Sequence, residues 1–129
     1  MQNNFSVTNS TKGKLPNLPF VIIKNDILGK EYSLSLAFID EKKSREINKT
    51  YRNKDKSTNV LSFPLSKKDG EILICPAVVK KETKKFNKNF KELLGFLVIH
   101  GMLHLKGMGH SSRMEEEEKK YDQKYFSRH

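Results

Sequence analysis

Three of the chain's four histidines, His100, His104 and His110, fall within the stretch HGMLHLKGMGH. Their spacing is H-x-x-x-H-x-x-x-x-x-H. On a helix, residues four apart share one face and stand roughly 6 Å apart along the axis, so His100 and His104 can present two imidazoles to one point. Gly107 then ends the helix, and the turn can bring His110 round as a third ligand. Three neutral imidazoles with one open position are the donor set of a catalytic zinc ion, one per chain, and not of a closed structural site. A lone histidine beside apolar residues is ordinarily a satisfied core group, but that does not account for three with a glycine break before the last. Imidazoles also accept nickel, copper or iron, so the rings alone leave the metal open.

The spacing matches the metzincin-type protease pattern H-E-x-x-H-x-x-G-x-x-H at every position but one. Gly101 stands where the glutamate base would be. Glycine cannot take a proton from water, so the pattern points to a hydrolysis other than peptide cleavage. Zinc itself lowers the pKa of bound water to about 7, so a neighbouring base helps without being obligatory.

The elements that must position these rings can be read coarsely. Phe5 to Val7 opens with a short strand, and residues 10–19 read as loop. Phe20 to Leu28 has helical spacing and ends at Gly29. Tyr32, Leu34, Leu36 and Phe38 alternate as a strand does. Asp40 is placed to cap a helix running to about Tyr51. Asn59 to Phe63 reads as a strand stopped by Pro64, Lys67 to Gly70 as a turn, and Glu71 to Cys75 as a strand stopped by Pro76. Pro76 to Phe90 is helix-permissive, with lysines at 80, 84, 88 and 91 expected on one face. Glu92 to Leu105 is apolar nearly all round, as a buried helix is, which would hold His100 and His104 rigid. Ser111 or Ser112 can cap a last helix through Tyr125, whose acidic start, Glu115 to Glu118, suits the macrodipole. The order predicts an α+β single domain over residues 1–129: a small mixed sheet with helices against it.

The chain has 129 residues and a formal net charge of +10, a surface that favours a polyanion such as nucleic acid. Lysine-rich composition alone would give the same charge, so the number is weak by itself. Cys75 is the single cysteine, which excludes an intrachain disulfide and fits a reducing compartment; it reads as a buried strand-end residue. No signal-peptide pattern opens the chain, and the apolar run Leu93 to Ile99 is too short to span a bilayer. A soluble, cytoplasmic protein without a membrane partner is expected.

A second constellation lies at residues 47–65, INKTYRNKDKSTNVLSFPL. Arg52 follows a helix and precedes a strand. Beside a candidate metal hydrolase, its guanidinium can hold a phosphate through two parallel hydrogen bonds, with Lys54 and Lys56 adding local positive charge.

Together these blocks resemble the bacterial YbeY endoribonucleases, also called rRNA maturation factors. Asn48 to Pro64 resembles the family's N-x-x-Y-R-x-K-D-x-P-T-D-V-L-S-F-P, and His100 to His110 resembles its H-G-x-L-H-L-x-G-Y-D-H. Gly70-Glu71-Ile72 and Ile74-Cys75-Pro76 look like the intervening G-D-I-x-I strand. The resemblance covers roughly residues 32–120 and is weakest at 1–31 and 121–129. It implies a four-stranded mixed sheet surrounded by helices. It further implies a zinc-dependent, single-strand-specific endoribonuclease acting at the 3′ end of 16S rRNA and in ribosome quality control. The partners it implies are the small ribosomal subunit and its assembly factors. His100, His104 and His110 match the family's metal ligands, and Arg52 its functional arginine. Ser57, Asn59 and Gly109 depart from the family's proline and two aspartates. Glu71 is the first carboxylate to consider in their place, behind the ligands.

In this reading Arg52 neutralises the scissile phosphate, and Lys80, Lys84 and Lys88 form an RNA track. Attack by a metal-activated water and attack by the ribose 2′-hydroxyl both remain open. Two alternatives stand beside it: a non-catalytic ribosome-assembly factor that keeps zinc for stability, and a small metallopeptidase.

Overall fold

Strand alternation and helical spacing alternate along the chain, and the computed structural model describes residues 4–109 and 111–126. The elements are β1 (Phe5–Asn9), α1 (Phe20–Ile27), β2 (Ser33–Phe38), α2 (Glu41–Arg52), β3 (Val60–Ser66), β4 (Asp69–Ile74), α3 (Pro76–Lys81), α4 (Thr83–Phe86), α5 (Phe90–Leu105) and α6 (Ser112–Phe126). The strands form one sheet in the order β1-β2-β4-β3. β2 pairs in parallel with β1 and β4, and β3 pairs antiparallel with β4. This is the expected α+β domain with a four-stranded mixed sheet. No helix among the described residues is long and apolar enough to cross a membrane.

Side chains alternate across a strand, so each face of the sheet carries its own set. Leu34, Leu36 and Phe38 of β2 and Ile72 and Ile74 of β4 join the main core with Leu93, Leu94, Leu97, Val98, Ile99, Met102 and Leu103 of α5. The opposite face carries a smaller cluster of Ile39, Leu61 and Leu73, with Ile47 of α2 and Phe63 packed on it. α5 is buried nearly all round, as its composition predicts. It starts with a capping box: Asn89 Oδ1 accepts from Glu92 N at 2.8 Å, and Glu92 Oε1 accepts from Asn89 N at 2.9 Å. Asp40 caps α2 as expected, accepting from Lys43 N at 2.8 Å.

Several boundaries differ from the sequence reading: β4 starts at Asp69, inside the expected turn, α5 starts at Phe90, and three others have a particular physical reason. Pro64 does not stop β3, which runs to Ser66 with a register irregularity between Pro64 and Ser66. β3 is an edge strand, and an edge tolerates a residue without an N–H. The stretch from Pro76 is not one helix. It breaks at Glu82, and Asn87 adopts a left-handed conformation (φ 53°) that closes α4 before Asn89 caps α5. The lysines at 80, 84, 88 and 91 therefore do not share one continuous helical face. β1 is also longer than Phe5–Val7, because it pairs along all five residues with β2.

Candidate functional site

The buried position of α5 sets the two histidines at the edge of the core, each partly exposed toward a cleft of about 600 Å³. The cleft is lined by Arg52, Asn59, Ser62, Pro64, His100 and His104, among others. Arg52 and the histidines, 48 residues apart at the closest, thus meet in one place.

The rings approach edge-on, with centroids 4.5 Å apart, and their Nε2 atoms face each other across 3.1 Å. Their other nitrogens are engaged. His104 Nδ1 lies 3.1 Å from the Met108 carbonyl oxygen, and His100 Nδ1 lies 2.9 Å from Glu118 Oε2. A carbonyl oxygen and a carboxylate can only accept, so each neutral ring carries its proton on Nδ1 and turns its Nε2 lone pair to the same point. Two lone pairs so close repel unless a proton or a metal ion lies between them. Nitrogen ligands of a tetrahedral ion bound at 2.0–2.1 Å stand about 3.3 Å apart, so the donor set suits such an ion.

Local backbone chemistry makes this arrangement. Gly107, at φ +101°, takes a conformation that side chains rarely adopt, and ends α5. Its N–H donates to the His104 carbonyl at 2.9 Å, and the Met108 N–H to the Leu103 carbonyl at 3.1 Å. That turn carries the Met108 carbonyl back to His104. His110, the expected third ligand, lies outside the described residues.

Arg52 ends α2, exposed, with Asn53 closing the helix at φ 56°. The loop behind it is pinned to α2. Ser44 Oγ donates to the Thr58 carbonyl (2.9 Å) and accepts from Thr58 N (3.0 Å). Asn48 Nδ2 donates to the Lys56 carbonyl at 2.8 Å, and Arg45 pairs with Asp55 at 2.7 Å. Lys54 and Lys56 are exposed on this loop. Ser44 and Asn48 are polar and buried, and sequence reasoning gave them no role. Their signal was there, since both fall at helical spacing on the face of α2 turned to the loop.

Glu71 is not brought to the histidines. Strand alternation turns it with Leu73 toward α2, where it lines a separate groove with Lys43, Tyr51 and Phe63. The carboxylate behind His100 is Glu118, which the sequence reading gave only to the macrodipole of α6. Met114, Glu118 and Tyr121 are the buried residues of α6. They follow an i, i+4, i+7 stripe, and a carboxylate in such a stripe was the available signal.

The structure also explains Gly101. A side chain there would point at the sheet, its Cβ 3.0 Å from Ile72 Cδ1 and from Ser62 Oγ. Any side chain there would have to displace Ile72 or Ser62, so the position is filled by packing. Asn59 donates to Glu82 Oε1 at 2.7 Å and ties the rim of the cleft to the α3–α4 junction. Beyond that junction, Lys80, Lys84 and Lys88 line a second cleft of about 740 Å³. That cleft adjoins the start of α5, ten residues or about 15 Å along the helix from His100. Two of these lysines are already engaged. Lys88 pairs with Asp122 at 3.3 Å, and Lys80 lies over the Phe90 ring. Cys75 is buried, and burial pushes its thiol pKa up, which leaves it inert.

A mixed sheet carrying a paired-histidine cleft on its central helix defines a small α+β hydrolase-like domain. The sequence profile of the family described as endoribonuclease YbeY matches residues 4–128. A Staphylococcus carnosus endoribonuclease YbeY is 34% identical over 117 residues, covering 81% of this chain and 76% of the relative. A Staphylococcus aureus endoribonuclease YbeY is 35% identical over 109 residues, covering 74% and 70%. A Thermotoga maritima protein solved in solution superposes with a TM-score of 0.64 at 31% identity, covering 92% of this chain and 87% of its own. The chain belongs to the endoribonuclease YbeY family.

Proposed function

We propose that this protein is a metal-dependent endoribonuclease that cleaves single-stranded RNA. The observation that carries the reading is the facing of the His100 and His104 Nε2 atoms across 3.1 Å in the cleft that Arg52 also lines. Zinc is the metal best suited to an all-imidazole donor set, held by His100, His104 and His110. When bound, it supplies Lewis acidity toward water and phosphoryl oxygen.

The chain's own residues account for the rest. Arg52, exposed at the end of a helix, offers its planar fork to a phosphate and offsets the charge that builds on it. The core behind α5 fixes the backbone that carries both rings. Lys54 and Lys56, exposed on the loop that follows Arg52, add positive charge next to it in the chain. The cleft is recessed, so a flexible strand can bend into it where a rigid duplex cannot. Family membership supports ribosomal RNA as the substrate, with 16S 3′-end maturation, ribosome quality control, the small subunit and a cytoplasmic setting as its context.

The test is cleavage of labelled single-stranded RNA by protein purified without a metal-affinity tag, with element analysis of the same sample. One transition metal per chain is expected, with cleavage lost on chelation and in a folded His104→Ala variant. Cleavage that survives chelation would overturn the metal reading. RNA binding without cleavage, whatever metal is supplied, would instead favour the assembly-factor alternative.

A further inference from the structure

We propose that Glu118 is the positioning residue of the histidine pair. It holds His100 in the Nδ1–H form and so fixes where the Nε2 lone pair points. The proposal rests on the metal-centre reading above and assigns a residue of α6 to it.

Glu118 stands where a helix would normally place an apolar residue. Met114 and Tyr121, one turn before and one after on the same stripe, are core residues at 1% and 6% exposure, and Glu118 itself is 7% exposed. A carboxylate withdrawn from water this far is costly unless it is paired and hydrogen-bonded. Its partner is His100 Nδ1 at 2.9 Å, on a ring that is itself largely buried. A carboxylate accepting from the outer nitrogen of a metal-ligating histidine sets its tautomer and ring orientation.

α6 has anchors of its own, so the contact is not merely what holds the helix in place. Asp26 of α1 accepts from Lys124 Nζ at 2.6 Å and from the Tyr125 hydroxyl at 2.5 Å. Lys88 pairs with Asp122. Met114 and Tyr121 are packed in the main core. With the helix seated by these contacts, the His100 contact is left to orient the ring. His104 is oriented by a backbone carbonyl, which substitution cannot remove. Among the described contacts, Glu118 is therefore a point at which the geometry of the pair can be altered by one side chain.

The experiment compares wild type, Glu118→Gln, Glu118→Ala and Tyr125→Phe. The first readout is the zinc dissociation constant from competition with a chromophoric chelator. The second is the His100 tautomer, read by nitrogen NMR of histidine-labelled, metal-free protein at mildly alkaline pH. Melting of the metal-free proteins reports the fold. Glu118→Ala is expected to weaken zinc binding about 10–100-fold and to shift His100 toward the Nε2–H form. Glu118→Gln should weaken binding less, because its amide oxygen can still accept. Tyr125→Phe should lower the melting temperature and leave zinc affinity and tautomer unchanged. If Glu118→Ala leaves the tautomer as in wild type, the proposal is overturned. It is equally overturned if Tyr125→Phe weakens zinc as much as Glu118→Ala does. If wild type binds no zinc, the metal-centre reading falls, and the tautomer readout alone decides the role of Glu118.

Discussion

The Ser62 hydroxyl of β3 donates to the Gly101 carbonyl of α5 at 3.3 Å, directly beside the two histidines. This contact needs the close approach of helix and strand that a glycine permits. The residue that costs the chain its resemblance to a protease therefore has a packing role, and it keeps the histidine pair against the cleft wall.

Gly101→Glu should accordingly be a folding defect and not a gain of peptidase activity. Its side chain would meet Ile72 and Ser62 and bury a carboxylate against them. Overpacking alone costs about 1–3 kcal/mol, and an unpaired buried charge adds to that. Gly101→Ala should be much milder, since about 1 kcal/mol of helix propensity offsets the tight contact. Thermal melts of both variants check this; a stable Gly101→Glu protein that cleaves a peptide would refute it.

Arg52→Ala should leave the fold and the metal content unchanged and slow RNA cleavage about 100–1000-fold, the range for losing a donor to transition-state charge. The side chain is exposed and lies at a helix end, so no core packing is lost. Arg52→Lys should recover only part of the rate, because an ammonium lacks the bidentate fork. Single-turnover rates at saturating enzyme are the measurement.

Docking of α6 should depend on acid. The hydrogen bonds from Lys124 and then Tyr125 hold the Asp26 carboxyl below its ordinary value of 3.8. A carboxylate depressed in the folded state contributes stability that is fully present above its unfolded value and is lost as pH falls through its folded one. Wild type should therefore melt above Asp26→Asn at neutral pH, and the gap should close only below about the ordinary carboxylate range. Both partners are partly exposed, so the gap should be modest and shrink with salt. Paired melting curves across pH decide it.

Binding to single-stranded RNA should weaken as salt rises, more gently than the charge of +10 suggests. Each phosphate neutralised on a single strand contributes about −0.7 to the slope of log affinity against log salt. Arg52, Lys54, Lys56 and Lys84 are exposed, whereas Lys80 and Lys88 are drawn to Phe90 and Asp122. Roughly three to four contacts give a slope of about −2 to −3. A salt titration with single-stranded and duplex RNA measures this, and equal cleavage of the two forms would remove the recessed-cleft explanation.

The histidine pair and the buried helix that carries it were legible because both are local: four-residue spacing, an all-round apolar run and a glycine stop lie within one short segment. Arg52 was legible only through its neighbours and the family they resemble, since one exposed arginine carries no pattern of its own. Sequence shows that a carboxylate exists and not which face it takes, so Glu71 reads as a candidate behind the ligands and Glu118 only as a partner of the macrodipole. The break at Asn87 escaped for a similar reason. A helix-permissive composition does not reveal that Asn89 and Glu92 will start a new helix of their own.

Pro64 sits on the outer strand that bounds the cleft, just before the register irregularity. It has no N–H to offer a visiting strand, and the irregularity interrupts the repeat such a visitor would need. Self-association by strand addition is thereby disfavoured along the one sheet edge where a second copy would cover the histidines. The mouth of the cleft stays accessible to a polymer longer than the cleft itself.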